Sequence, residues 1–172
     1  CRLAPLIRHQ DADDYGMKLF AKQPVPDEPA RAPDPSMIAS EADLLHALDY
    51  EHARASRYGR PLSVLRIVPH VLPNEMPSPA ELEAVGSCVK SQLRDVDHVG
   101  LLNDGSFVAV LPETEQHAAH VAALRIASEL TLRSGAVRQR NWLVGAAELW
   151  AECDSPDALL AAAVANAIRE RG

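Results

Sequence analysis

The sequence predicts an α/β fold, an α+β sandwich whose central sheet contains an antiparallel hairpin and is flanked by helices. Three observations carry this expectation. Beyond Ser36, stretches with helical apolar spacing alternate with short runs rich in branched residues. Asn103-Asp104-Gly105 separates two apolar runs, which is a hairpin signal. Hydrophobic residues make up 47% of the 172 residues and aromatics only 4%, so Leu, Val, Ile and Ala must fill the core.

Each element follows from local chemistry. Ser40 caps a first helix, with Asp43 in a weaker version of the capping box, and Leu44, Leu45, Leu48 and His52 keep helical spacing up to Gly59. Leu62 to Val68 reads as a strand. The prolines at 69, 73, 77 and 79 predict a loop. Glu81 to Leu93 reads as a helix with Leu82, Val85, Val89 and Leu93 on one face. Val96 to Leu102 and Phe107 to Leu111 form the hairpin, and Glu115 to Leu130 is a long amphipathic helix. Trp142 to Leu149 is a strand, and Ser155 starts a last, alanine-rich helix with Pro156 at its first position, running to about Arg169. The alanines of 161–167 suit close helix packing, as in a dimer interface.

Residues 1–35 stand apart. A mixed segment over 1–23 is followed by five prolines between Pro24 and Pro35, a stiff extended linker. The domain is therefore placed at 36–172. The chain opens on Cys1 rather than Met, which suits a piece of a longer protein with modules upstream; lipidation at Cys1 is a weaker reading.

Charge and cysteines exclude several classes. The net charge of −7 repels phosphate backbones and argues against nucleic-acid binding, although a few local arginines can still hold a small anion. Three cysteines without CxxC spacing argue against a disulfide framework or zinc cluster, and fit a reducing, cytoplasmic compartment. No apolar run approaches the ~20 residues of a membrane span.

Several stretches then match a known family in order. His52 to Leu65 resembles the first helix and first strand of the GGDEF domain of bacterial diguanylate cyclases. Leu93-Arg94-Asp95-Val96-Asp97-His98-Val99-Gly100 resembles the approach to the family signature. Phe107 to Thr114 resembles the strand after it, and Leu143 to Ala147 the late strand. The resemblance implies a sheet like the palm of nucleotide cyclases.

It also implies what is missing. Without gaps, the signature Gly-Gly-Asp/Glu-Glu-Phe falls on Asn103, Asp104, Gly105, Ser106 and Phe107, so only the packing residue Phe107 is kept. The family's chemistry uses two metal ions on a triphosphate, and hard cations take carboxylates. Gly105 and Ser106 stand where the resemblance places carboxylates, and Val68 stands where it places a third. Asp104 is displaced by one position, and one step along a strand turns a side chain to the other face. The sequence thus predicts a tight turn at 103–105, no metal site, no cofactor and no cyclase activity.

Arg94-Asp95-Val96-Asp97 is an RxxD sequence placed five residues before Asn103, and it resembles the family's inhibitory site for cyclic di-GMP. An arginine fork can bond guanine O6 and N7, and a carboxylate can accept from N1 and N2. The resemblance adds an arginine from the following helix, which falls on Arg125. The resulting expectation is a catalytically inactive, cyclic di-GMP-binding regulator that signals through altered contacts with an upstream module or a second copy. The resemblance also implies a role of the kind that degenerate domains of this family have in regulating exopolysaccharide output. The alternatives are a ligand-free dimerisation or docking scaffold and a residual GTP-binding domain. A surface Arg–Asp pair at a helix end is the plainer reading of Arg94 and Asp97. His117 with His120, and His46 with His52, read as solvated helix faces rather than metal pairs. Trp142 and Trp150 read as packing residues.

Overall fold

The structure is a computed structural model that describes residues 38–70, 76–133, 141–149 and 155–169. All lie in the second of two compact units, Ala32–Gly172. The segment 1–23, the proline-rich linker, Cys1, Cys153 and Trp150 lie outside the described residues.

Five strands and four helices follow one another: β1 Ile38–Ala39, α1 Glu41–Tyr58, β2 Leu62–Pro69, α2 Pro79–Ser91, β3 His98–Leu101, β4 Phe107–Pro112, α3 Gln116–Leu132, β5 Trp142–Glu148 and α4 Pro156–Arg169. The strands form one mixed sheet in the order β1-β3-β4-β2-β5. β1 runs parallel to β3, and the remaining pairs are antiparallel.

The sheet is covered on both faces, which is why its strands read as nearly unbroken apolar runs. Leu65, Ile67, Val99, Phe107, Ala109, Leu111 and Val144 pack against Val85 and Val89 of α2 and Ala119, Ala123 and Ile126 of α3. Val64, Val108, Val110 and Ala147 face the other way, onto Leu44 and Leu48 of α1 and Leu159 and Ala163 of α4. The alanine face of α4 is thus spent inside the domain. Gly145 permits this approach, because a Cβ there would sit 2.2 Å from the Ala167 backbone nitrogen and 2.3 Å from the Ala163 carbonyl.

The predicted order holds, with adjustments at the boundaries; α2 ends at Ser91 rather than Leu93, and α3 and β5 shift by one or two residues. The two-residue β1 is too short to leave a pattern. α2 starts at Pro79 rather than Glu81, because Ser78 caps it, Pro79 takes its first turn and Glu81 closes a capping box back to the Ser78 N–H. β2 continues through Pro69, which pairs with Trp142 two residues past the last β4 pairing, Ile67 with Phe107, so its missing N–H interrupts no β4 ladder. β3 starts at His98 rather than Val96, because residues 94–97 form a turn. Ser40 does cap α1, but its hydroxyl donates to Asp43 Oδ2 at 2.6 Å while accepting from the Asp43 N–H at 3.3 Å.

Candidate functional site

The hairpin is a three-residue turn. Leu102 N–H donates to the Ser106 carbonyl at 2.8 Å and Gly105 N–H to the Leu102 carbonyl at 3.0 Å. Gly105 has φ +76°, a left-handed conformation that glycine adopts without a Cβ penalty. Asn103 N–H is fixed by Glu41 Oε2 at 2.6 Å, which ties the turn to the start of α1.

Asp104 is not on a strand, so the strand-face expectation for it does not apply. It sits in the turn and points at Arg66. Its Oδ2 accepts from Arg66 Nη2 at 2.6 Å, while Oδ1 accepts from the Ser106 N–H at 2.9 Å and from the Ser106 hydroxyl. Partial burial pushes this carboxyl upward. The two Ser106 hydrogen bonds and the Arg66 charge outweigh that and hold it below its ordinary value. Arg66 was the residue missed from sequence. Its signal was there: a charge inside the apolar strand Leu62–Val68 needs a partner. It shares its sheet face with Val108 and Gly145, and its Nε is buried with no hydrogen-bond partner.

This donor set does not fit a divalent cation. Val68 and Ser106 offer no carboxylate, and the one carboxylate of the turn is already neutralised by a guanidinium. Among the described residues, no group of three or more His, Cys, Asp and Glu could hold a metal ion. His46 and His117 are exposed, and His52 and His120 are half-buried on their helices. Trp142 packs in the core, its ring centroid 6.1 Å from that of Phe107.

The second constellation lies at the opposite end of β3 and β4. Arg94 is two residues past the C-cap of α2, not in its last turn. It opens a turn in which Asp97 N–H donates to the Arg94 carbonyl at 3.0 Å. The Asp97 carboxylate closes the same turn. It accepts from Arg94 N–H at 2.8 Å, from Nε at 3.4 Å and from Nη2 at 3.0 Å. Nη2 also donates to the Pro112 carbonyl at 3.3 Å and to Thr114 Oγ1 at 2.5 Å. The Asp97 side chain is 3% exposed and that of Arg94 is 55% exposed. Asp97 therefore holds Arg94 and has little surface of its own.

Arg94, Asp97 and Arg125 line one pocket of about 450 Å³, between the end of α2 and the first half of α3. Arg125 Nη2 donates to the Gln92 carbonyl, which brings it over the pocket. The other wall is the β4–α3 loop. Here Thr114 is buried, its hydroxyl donates to the Pro112 carbonyl at 3.0 Å, and its carbonyl accepts from Ser63 Oγ at 2.7 Å. Thr114 was also missed from sequence, since an isolated threonine carries no motif. A larger and more open depression of about 780 Å³ adjoins this pocket at Pro61 and Glu115. It brings one arginine, Arg60, against Glu115 and Glu148, and Glu148 is already engaged in capping α3 through the Gln116 N–H at 2.7 Å. The smaller pocket, with two arginines among its carboxylates, is the better site for a base.

No family model and no curated protein matches the sequence. Solved structures do match the fold. The chain is similar to a DGC protein from Thermotoga maritima, with TM-score 0.63 and 16% identity over 78% of this chain and 98% of that one. It is similar to the GGDEF domain of PA1120 (YfiN or TpbB) from Pseudomonas aeruginosa, with TM-score 0.65 and 22% identity over 79% and 92%. It is also similar to the coiled coil and GGDEF domain of DgcB from Caulobacter crescentus, a structure in complex with c-di-GMP, with TM-score 0.64 and 15% identity over 78% and 76%. The fold is that of GGDEF domains.

Proposed function

We propose that this domain is a cyclic di-GMP receptor without cyclase activity. The observation that carries the reading is the convergence of Arg94 and Arg125 on one pocket, with Arg94 held in place by Asp97. Two guanidinium forks on a pocket of this size suit the O6 and N7 acceptors of a guanine base. The lack of cyclase chemistry is supported by the hairpin, where Arg66 takes up the charge of Asp104 and neither Gly105 nor Ser106 offers a second carboxylate. Ligand binding then changes how the domain meets an upstream module or another protein. The likeness to the DgcB structure with its bound c-di-GMP supports the ligand class.

Isothermal calorimetry tests the reading. Wild-type protein gives a saturable heat with cyclic di-GMP, and Arg94→Ala and Arg125→Ala each abolish or strongly weaken it. No heat at high micromolar ligand sinks the proposal. An assay with GTP and magnesium or manganese yields no cyclic product. One observation favours the scaffold reading instead: Val121, Leu124 and Leu132 are exposed on one side of α3. A concentration-dependent dimer in light scattering, lost in Leu124→Lys and indifferent to cyclic di-GMP, would favour it.

A further inference from the structure

The pocket provides arginines for one edge of a guanine, but its obvious carboxylate is spent. The Watson–Crick edge of guanine presents N1–H and a 2-amino group, both donors, so it needs an acceptor, best a carboxylate. Asp97 cannot serve. Its side chain is 3% exposed, and its two oxygens already take three hydrogen bonds from Arg94. Two other carboxylates line the pocket, Glu113 and Glu115. Glu115 is the N-cap residue of α3, where the helix dipole favours a negative charge staying in place. Glu113 has a different setting. Its side chain is 53% exposed, and its ion pair is a long one, 3.9 Å to Arg54 Nη2.

The backbone presents Glu113 deliberately. Among the described residues it is the one non-glycine residue with positive φ, at +51°. A residue in that region carries a small conformational cost, and it persists where its surroundings fix it. Both neighbours are fixed. The Pro112 carbonyl accepts from Thr114 and from Arg94, and the Thr114 carbonyl accepts from Ser63. The left-handed turn takes Glu113 out of the line of β4, at the rim of the pocket that Arg94 and Arg125 also line. A preset carboxylate loses less freedom when it takes up a ligand.

Resting on the cyclic di-GMP reading, we propose that Glu113, rather than Asp97, is the specificity-determining acceptor that reads the N1–H and 2-amino groups of guanine. The site then tells guanine from adenine and from hypoxanthine by one side chain. Taking Glu113 into the ligand also draws it from Arg54, whose Nε is bonded to Glu51 of α1 at 2.8 Å, so α1 feels the occupied pocket.

Calorimetry with two ligands tests this: cyclic di-GMP and cyclic di-IMP, whose hypoxanthine bases lack the 2-amino group. Wild-type protein prefers cyclic di-GMP by about tenfold or more, the value of a hydrogen bond to a charged acceptor. Glu113→Ala weakens cyclic di-GMP by a similar factor and no longer distinguishes the two ligands. Glu113→Gln, which keeps the side-chain length, lies between. Glu115→Ala keeps the wild-type preference. Melting curves show that each variant is folded. If Glu113→Ala and Glu113→Gln bind with wild-type affinity and preference, the proposal is overturned while the receptor reading stands. If Glu115→Ala abolishes the preference, the acceptor is Glu115. Wild-type protein that binds neither ligand overturns both readings together.

Discussion

Arg66 Nη2 lies 2.6 Å from Asp104 Oδ2, so an ion pair ties the tip of the β3–β4 hairpin to the middle of strand β2. The Arg66 side chain is 11% exposed, and its partner, at 57%, is largely in solvent. The pair is therefore asymmetric. Removing Asp104 strands a buried cation, whereas Asp104 without Arg66 simply hydrates.

Asp104→Asn should lower stability by about 1–3 kcal/mol at neutral pH, toward the lower figure because Asp104 is solvent-screened. The pH dependence has a definite sign. The folded carboxyl sits below its unfolded value of about 3.9, so its contribution is complete above that value and is lost as pH falls through the lower native one. Urea denaturation between about pH 3 and pH 7 measures this. The wild-type acid decline should be shallower in Asp104→Asn, and parallel curves would show that the pair carries no linked proton. Arg66→Met, which removes the buried cation itself, should cost less than Asp104→Asn.

Phe107 is the packing residue of the hairpin, 1% exposed and tilted 51° against Trp142. Phe107→Ala empties the space between β4, α2 and β5. A loss of about 3–5 kcal/mol is expected, with Phe107→Leu costing less. Thermal melts and urea titrations check it. A small loss in Phe107→Ala would mean that Trp142 or Val85 collapses into the gap.

Gly145→Ala should be more harmful than its size suggests. The new methyl would meet backbone atoms of Ala163 and Ala167 at 2.2–2.3 Å, and backbone cannot swing aside as a side chain can. α4 must shift away from β5, at a cost of about 1–3 kcal/mol or more. Hydrogen exchange in α4 that speeds up ahead of the other helices is the expected signature.

What was legible in sequence divides by length scale. Periodicity and turn chemistry placed every element except β1, because Leu44, Val85 or Ile126 must face a core wherever the chain runs. Boundaries moved where a side chain intervened: Ser78 and Glu81 pulled α2 forward, and Asp97 held residues 94–97 out of β3. The pocket residues Arg94, Asp97 and Arg125 were found through a motif, yet their division of labour was not. That Asp97 is buried beneath Arg94 depends on Thr114 and Pro112 arriving from eighteen and more residues away. Arg66 and Asp104 are 38 residues apart, and only the β2–β4 register brings them together.

Asp97 makes the last prediction, because its role is to position Arg94. Asp97→Ala removes three acceptor contacts to Arg94 and leaves the 94–97 turn with its own backbone hydrogen bond and the one from Lys90 Nζ to the carbonyl of residue 97. Stability should fall by about 1–3 kcal/mol. If Arg94 is the group that meets ligand, affinity for cyclic di-GMP should fall as well, since ordering the long side chain then costs entropy at each binding event. Thr114→Val should act in the same direction but more weakly, because it takes one of the Nη2 acceptors and keeps the Asp97 fork. Calorimetry on the three proteins, paired with urea titrations, separates the two effects. Affinity that follows Asp97 and Thr114 in graded steps marks a positioned Arg94. Unchanged affinity in a destabilised Asp97→Ala would show that Arg94 finds its binding pose without the carboxylate beneath it.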